Sequence, residues 1–376
     1  MIPVNTPLLG KRELKNVTDC VKTGWISSRG KYIKQFEEEF ARYCGVKYGV
    51  STTNGTTALH LALAALDVKK GDEVIMPTFT MIATAYAVMY TGAKPVLVDS
   101  EDRTWNMDTA ALERLVTKKT KVILPVHIYG HPVDMGPVLE LARKRGIRVV
   151  EDAAEVHGGE YKGKKCGSLG DIGCFSFYAN KIITTGEGGM VVTDNARIAE
   201  KAGILKDLAH SSGKRFLHTH LGYNYRMTNL QAAVGLAQTR QIEKFIRIKR
   251  RMARAYNERL KDVQGLKLPV EEKWAKNVYW MYSVVVEKGF GLSRDRLMEE
   301  LRKEGVDTRA FFVPMHRQPV LLKAGVVSKK AKYPVADSIS RRGLYLPSGL
   351  ALKDSEIDLV CEKIRKIQKR AGRRRA

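Results

Sequence analysis

Between Asp72 and Asp152 the chain repeats one pattern, a short apolar run followed by a segment with helical spacing. DEVIMP leads to TMIATAYAVMYTG, KPVLVD to DTAALERLVT, and KVILPVHIYG to VLELARKRG; IRVVED then begins the pattern again. Units of about thirty residues that alternate strand and helix signals require parallel strands joined by crossover helices, hence a buried α/β sheet. Ligands of such sheets gather at the carboxyl ends of the strands. Pro77, Asp99, His127 and Asp152 fall at those ends, which makes that edge the expected site.

The flanks of this block read differently. Residues 1–33 are expected to be loop-rich, because Gly10, Gly24, Ser27, Ser28 and Gly30 interrupt any long helix. KYIKQFEEEFARYCG predicts a helix with Ile33, Phe36, Phe40 and Tyr43 on one face and Gly45 as its stop. YGVSTT is a short strand, and Asn54-Gly55-Thr56-Thr57 opens a second helix, ALHLALAALDV. Small residues at a helix start leave backbone N–H groups free for an anion, here a phosphate. From Arg240 a long helix leads out of the pattern. Ile242, Phe245, Met252, Tyr256 and Leu260 recur near helical spacing, so most charges of RQIEKFIRIKRRMARAY belong to a solvated face. Next come a strand (WMYSVVVE), a helix (SRDRLMEELRKEG), an extended piece (DTRAFFVPMH) and a last helix from Asp354. The expected organisation is a large α/β domain over 1–245 and a smaller α+β domain over 246–376 with a basic tail.

The formal net charge of +25 admits nucleic acid, a membrane surface or an anionic substrate as partner. No helix-turn-helix, zinc or RNA-binding motif accompanies it, so a nucleic-acid-binding regulator is the competing class. The five cysteines are scattered without a CxxC pair, which suits reduced thiols and gives no metal signal. No apolar run approaches the ~20 residues of a membrane span, and MIPVNTPLLGKREL lacks a signal-peptide layout. A cytoplasmic protein is expected.

The chemistry concentrates in residues 149–194. An apolar strand ends in Asp152, a second apolar run reaches Ser176, and Lys181 follows before a turn containing Gly186, Gly188 and Gly189. A lysine just after a strand, flanked by Ala179, Asn180, Ile182 and Ile183, is a candidate imine-forming nucleophile once partial burial lowers its pKa. It reads equally well as a surface lysine near a turn. Asp152 could keep a pyridine nitrogen protonated, or simply cap a helix. Ser176 could hold an anion, or be an ordinary strand serine; Gly55 and Thr56 could be the phosphate site, or a plain cap. Together they supply an anion cradle, an acid, a hydroxyl and an amine after successive strands, which is what pyridoxal phosphate requires. No GxGxxG in a dinucleotide setting and no GxxxxGK[ST] loop occurs.

The runs GWISSRGKYIKQFEEEF, TTNGTTALHLALAAL, DEVIMPTFTMIATA, PVHIYG, VVEDAAEVHGGEYKGKKCGSLGD, FSFYANKIITTGEGGMVVTD, LGYNYRMTNLQAAVGLAQ and FVPMH carry a resemblance that spans nearly the whole chain. It resembles the sugar-nucleotide aminotransferases of the DegT/DnrJ type, pyridoxal-phosphate enzymes of the aspartate-aminotransferase fold (type I). Within that family the likeness is to the branch acting on GDP-4-keto-6-deoxymannose. The resemblance implies that Lys181 carries pyridoxal 5'-phosphate covalently and then shuttles protons. Asp152 would pair with the pyridine nitrogen, and Glu155 would lie near the cofactor face or its ring hydroxyl. Gly55, Thr56 and Ser176 would hold the phosphate. Asn224 or Arg226, in the turn GYNYR, would reach the site of the other subunit of a homodimer. Met81 stands where many relatives carry a stacking aromatic ring, and a thioether can still cover a ring face. Tyr86 replaces a frequent asparagine. Relatives that have turned into dehydratases carry histidine in place of the lysine, which Lys181 argues against. The implied reaction moves an amino group from L-glutamate to C4 of a nucleotide-linked 4-keto-6-deoxy sugar. A dTDP- or UDP-linked 3- or 4-keto sugar is the alternative. Trp25, Ser27, Arg29, Arg309 and His316 are the candidate sugar-nucleotide contacts, with a structural histidine the other reading of His316.

Overall fold

The computed structural model describes residues 1–210, 216–218, 220–328 and 330–373; the last three residues of the basic tail lie outside the described residues. The helices are α1 (Lys11–Thr23), α2 (Lys31–Cys44), α3 (Gly55–Ala65), α4 (Ile82–Tyr90), α5 (Met135–Arg145), α6 (Ala196–Lys206), α7 (Asn229–Thr239), α8 (Ile242–Leu260), α9 (Arg294–Lys303), α10 (Pro319–Lys323), α11 (Pro334–Arg342) and α12 (Asp354–Arg373). The strands of the first half are β1 (Tyr48–Thr52), β2 (Glu73–Pro77), β3 (Lys94–Val98), β4 (Thr120–Ile123), β5 (Arg148–Asp152), β6 (Glu160–Tyr161), β7 (Lys164–Lys165), β8 (Ile172–Ser176) and β9 (Gly189–Thr193). The later strands are β10 (Leu266–Lys267), β11 (Ala275–Lys276), β12 (Ser283–Val286), β13 (Arg309–Ala310) and β14 (Gly343–Tyr345).

The alternating units build a seven-stranded sheet in the order β1-β9-β8-β5-β4-β2-β3. The pairs from β8 to β3 are parallel, and β9 runs antiparallel to both of its neighbours. This is the mainly parallel sheet expected from the sequence, with helices burying both faces. On one face α2 lays Phe36 and Phe40 against Phe175 and Phe177; the Phe40 ring meets Phe175 edge-on at 4.9 Å and Phe177 at 5.1 Å. On the other face α3, α4 and α6 pack their apolar residues against Val50, Val74, Met76, Val122 and Val150.

A second sheet, β10-β12-β14-β13, is covered by α8, α9 and α12. The 245/246 position lies inside α8. Phe245 and Ile246 join the core beside the large sheet, whereas Met252, Ala253, Tyr256 and Leu260 join the core of the smaller one. One charge on α8 departs from the solvated face: Lys249 is 1% exposed. Among the described residues no helix is long and apolar enough to cross a membrane, and none forms a cluster suited to a metal ion.

Two expectations are corrected. The N-terminal segment contains α1, because Gly10 and Gly24 flank the helix instead of breaking it. Gly10 is its N-cap, and Gly24 ends it in a left-handed conformation (φ 74°) with its N–H on Val21 O. DTAALERLVT, expected as a helix, forms two separate 3-10 turns at Thr109–Ala111 and Glu113–Leu115. The Asp108 carboxylate accepts the Ala110 N–H and closes the first turn tightly.

Phe40 is fully buried where α2 meets β8. Phe40→Ala is expected to lower unfolding stability by about 3–5 kcal/mol, measured by urea denaturation, and a change under ~1 kcal/mol would show that this cluster does not hold α2 to the sheet.

Candidate active site

The carboxyl edge of the large sheet collects the sequence-expected residues. Asp152 is the last residue of β5 and Ser176 the last of β8. Thr52, the end of β1, pairs with Gly189, which also pairs with Ser176. Helix α3 starts just beyond, capped by Asn54: its Oδ1 accepts the Thr57 N–H at 2.9 Å, and Thr57 Oγ1 accepts the Asn54 N–H at 3.1 Å. Ala58 donates to Asn54 O at 3.1 Å. The Gly55 and Thr56 amides, one turn too early for an intrahelical carbonyl, are left for an outside acceptor. A Cβ on Gly55 would sit 2.7 Å from Ser176 Cβ and 3.2 Å from its Oγ. Glycine at 55 is therefore what lets the helix start close on the Ser176 hydroxyl.

Lys181 lies in the turn after β8 with its side chain 10% exposed. Its Nζ is 4.0 Å from Glu155 Oε1 and 3.9 Å from the centroid of the Trp280 ring. Burial lowers the pKa of this amine, and the Glu155 and Asp152 carboxylates oppose that shift. Burial likewise pushes Glu155 up to about 7, against the pull of Lys181 and of the Tyr129 N–H, which Glu155 Oε2 accepts at 2.8 Å. Asp152 is also raised by burial, countered first by the Thr84 hydroxyl that donates to its Oδ2 at 2.8 Å and then by the Ala154 N–H on Oδ1 at 3.2 Å. His157 sits among the Phe40, Phe175 and Phe177 rings, and burial pushes its pKa down to about 3, so it is neutral at pH 7.

The other expected residues are distributed as follows. Met81 is the half-exposed N-cap of α4. Trp25, Ser27 and Arg29 are exposed on a loop tied to α7, where Asn229 Nδ2 donates to Trp25 O and the Asn229 N–H to Ser27 O, both at 2.6 Å. The Arg226 guanidinium donates to Asn224 Oδ1 at 2.9 Å and pairs with Asp207 at 2.9 Å. Arg309 is paired with Asp307. His316 is buried with both ring nitrogens engaged, Nδ1 on Thr78 Oγ1 at 2.8 Å and Nε2 on Asp337 Oδ1 at 3.0 Å. Lys181, Glu155, Asp152, Ser176 and Gly55 thus gather at one edge, and among the described residues the hydrogen bonds and ion pairs of these others go elsewhere. Sequence reasoning missed Trp280 and Thr84, and gave no contact to Asn180, whose carbonyl accepts the Trp280 indole N–H at 2.7 Å. The one available signal was a tryptophan in the run VYWMYS.

An amine that burial biases toward its neutral form, an acid at a strand end, and a hydroxyl beside two free helix-start amides suit a phosphorylated pyridine aldehyde. The cradle at Gly55 and Ser176, which a single Cβ would fill, fits the phosphate. This sheet edge defines a fold-type I pyridoxal-phosphate enzyme.

The chain belongs to the DegT/DnrJ/EryC1/StrS aminotransferase family, whose model matches residues 7–365. It is 43% identical to a GDP-perosamine synthase from Caulobacter vibrioides over 96% of each chain. It is 42% identical to a GDP-perosamine synthase from Escherichia coli O157:H7, over 96% of this chain and 97% of that one. A Streptococcus pneumoniae chain solved in its PLP form superposes with a TM-score of 0.92 at 27% identity, covering 98% of this chain and 99% of that one. The protein is an aminotransferase and its cofactor is pyridoxal 5'-phosphate.

Because the Glu155 carboxylate raises the pKa of Lys181, Glu155→Gln in the cofactor-free protein is expected to move the midpoint of Lys181 labelling by fluorodinitrobenzene to lower pH. Peptide mass spectrometry reads this, and an unmoved midpoint would show that the two groups do not interact.

Proposed function

We propose that the protein transfers an amino group from L-glutamate to C4 of a nucleotide-linked 4-keto-6-deoxy sugar, converting GDP-4-keto-6-deoxy-D-mannose to GDP-perosamine. The observation that carries the sugar assignment is the near full-length likeness to the two bacterial GDP-perosamine synthases. The reaction assignment is supported by the buried Lys181 amine beside Glu155 and Trp280.

When bound, pyridoxal phosphate supplies the carbonyl that accepts an amine and the ring that draws electrons from the reacting carbon. The chain supplies the rest. The Gly55 and Thr56 amides and the Ser176 hydroxyl hold the phosphate. Asp152, with its second oxygen steadied by Thr84, keeps the pyridine nitrogen protonated. Glu155 would serve the ring hydroxyl, and the Met81 thioether would cover the ring face. Lys181 Nζ would hold the cofactor at rest and, once free, would carry the proton that is taken from or given to C4 of the sugar.

The protein acts as a homodimer, with Asn224 and Arg226 of each subunit serving the phosphate site of the other. Their contacts support this, since within one chain they pair with each other and with Asp207. The substrate diphosphate meets the exposed Arg29 and Arg309, and the nucleoside or sugar meets Trp25 and Ser27. His316 is left out of this assignment because neither ring nitrogen is free for a ligand. An anionic substrate also accounts for part of the +25 charge.

The assay is amination of GDP-, dTDP- and UDP-linked 4-keto-6-deoxy sugars side by side with glutamate as donor. The GDP sugar is expected to be turned over fastest, and Lys181→Ala to lose turnover by at least ~10²-fold together with the visible absorbance of the lysine-bound cofactor. Preference for a dTDP or UDP sugar would overturn the substrate; unchanged turnover in Lys181→Ala would overturn the role of the lysine.

A further inference from the structure

Lys249 poses a physical problem. It is 1% exposed, and among the described residues no carboxylate lies within 4 Å of its amine. Its Nζ instead donates to two backbone carbonyls, Trp280 O at 2.8 Å and Ser348 O. Burial brings its pKa down to about 7. A methionine would fill the same space without burying an amine, so stability alone does not account for a lysine here. Its position offers a reason. The carbonyl it grips belongs to the residue whose ring lies over the Lys181 amine.

Trp280 is held at both of its polar ends. Its indole N–H donates to Asn180 O at 2.7 Å, the carbonyl immediately before Lys181, and that carbonyl also accepts from Asn5 Nδ2 at 2.6 Å. Its own carbonyl is fixed by Lys249. Tyr129, whose N–H holds Glu155, stacks on the indole at 6.3 Å and 25°. The ring is 3% exposed, so the indole is a fixed wall beside a flexible four-carbon arm.

We propose that Trp280 is a catalytic residue that confines the Lys181 amine with its ring face, and that Lys249 is the positioning residue that fixes this ring through its backbone carbonyl. The proposal rests on Lys181 being the reacting lysine. An amine that takes a proton from carbon becomes an ammonium, and an indole face favours that charge without offering an acceptor that would trap it. Confinement also keeps Nζ near both carbons between which the proton moves. Because Lys249 simultaneously holds Ser348 O, beyond β14, the setting of the amine is tied to the seating of the smaller sheet.

The test uses the cofactor-free protein, so it stands whatever sugar the enzyme takes. Lys181 is labelled with fluorodinitrobenzene across pH and read by peptide mass spectrometry in wild type, Trp280→Leu, Lys249→Met and the double variant. The high-pH plateau rate is expected to rise several-fold in Trp280→Leu and by less in Lys249→Met. The double variant should not exceed Trp280→Leu, because Lys249 acts through the ring. With 5-fluorotryptophan incorporated, Lys249→Met should shift the 19F signal of Trp280 and leave those of Trp25, Trp105 and Trp274 in place. In the loaded enzyme kcat should fall roughly ten- to a hundredfold in both single variants with KM little changed. Should Lys249→Met fail to fold, Trp280→Phe, which keeps a ring but loses the donor to Asn180, is expected to label at an intermediate rate. Unchanged labelling in Trp280→Leu would overturn the role of the ring. A Lys249→Met effect that adds in full to that of Trp280→Leu would overturn the positioning role.

Discussion

An amine taken out of water needs either a counter-charge or a surrounding that tolerates its neutral form. At Lys181 both conditions meet: burial favours the neutral amine, while Glu155 at 4.0 Å and Asp152 favour the charged one. Glu155 in turn is pushed up to about 7 by the same burial. Burial thus works against charge on both groups while their proximity works for it, and the remaining features of the site follow from keeping that balance in place. Trp280 roofs the amine, Tyr129 holds the far oxygen of Glu155, and Thr84 steadies Asp152.

The fold supplies this arrangement by putting strand ends at one edge. β5 and β8 are parallel neighbours, so Asp152 pairs with Cys174 and Ser176 follows two residues further along the same edge. β1 is joined to β8 through the reversed strand β9, which brings the start of α3 to the same edge. The segment just before β12 adds the indole of Trp280, whose backbone carbonyl is gripped by Lys249 on the helix shared between the two cores. The residues that hold an anion, draw electrons and move a proton thus come from separate stretches of chain, and none could act from its own segment alone.

Much of this was legible in the order of residues, for physical reasons that also set where legibility stopped. Alternating apolar strands and helical segments dictate a parallel sheet, and a parallel sheet dictates which ends share an edge; Asp152, Ser176 and the Asn54 cap could be read from that. The α8 pattern could be read too, since Ile242, Phe245, Met252, Tyr256 and Leu260 are all buried. Lys249 could not, because its burial depends on carbonyls of Trp280 and Ser348, which lie 31 and 99 residues away. Trp280 was hidden for the same reason, as a tryptophan just before a strand carries no local sign of the lysine it will cover. The α1 helix was misread because glycines at its two ends look in sequence like glycines that break a helix. The helix expected over DTAALERLVT was misread in the opposite sense, because helical spacing does not report the tight turn that the Asp108 carboxylate closes at its start.

The most direct measurement of the central claim is to reduce the cofactor-loaded protein with borohydride, digest it, and locate the phosphopyridoxyl group by mass spectrometry. The account predicts that the group is found on the peptide bearing Lys181. Its presence on another lysine, Lys249 included, with Lys181 unmodified would contradict it.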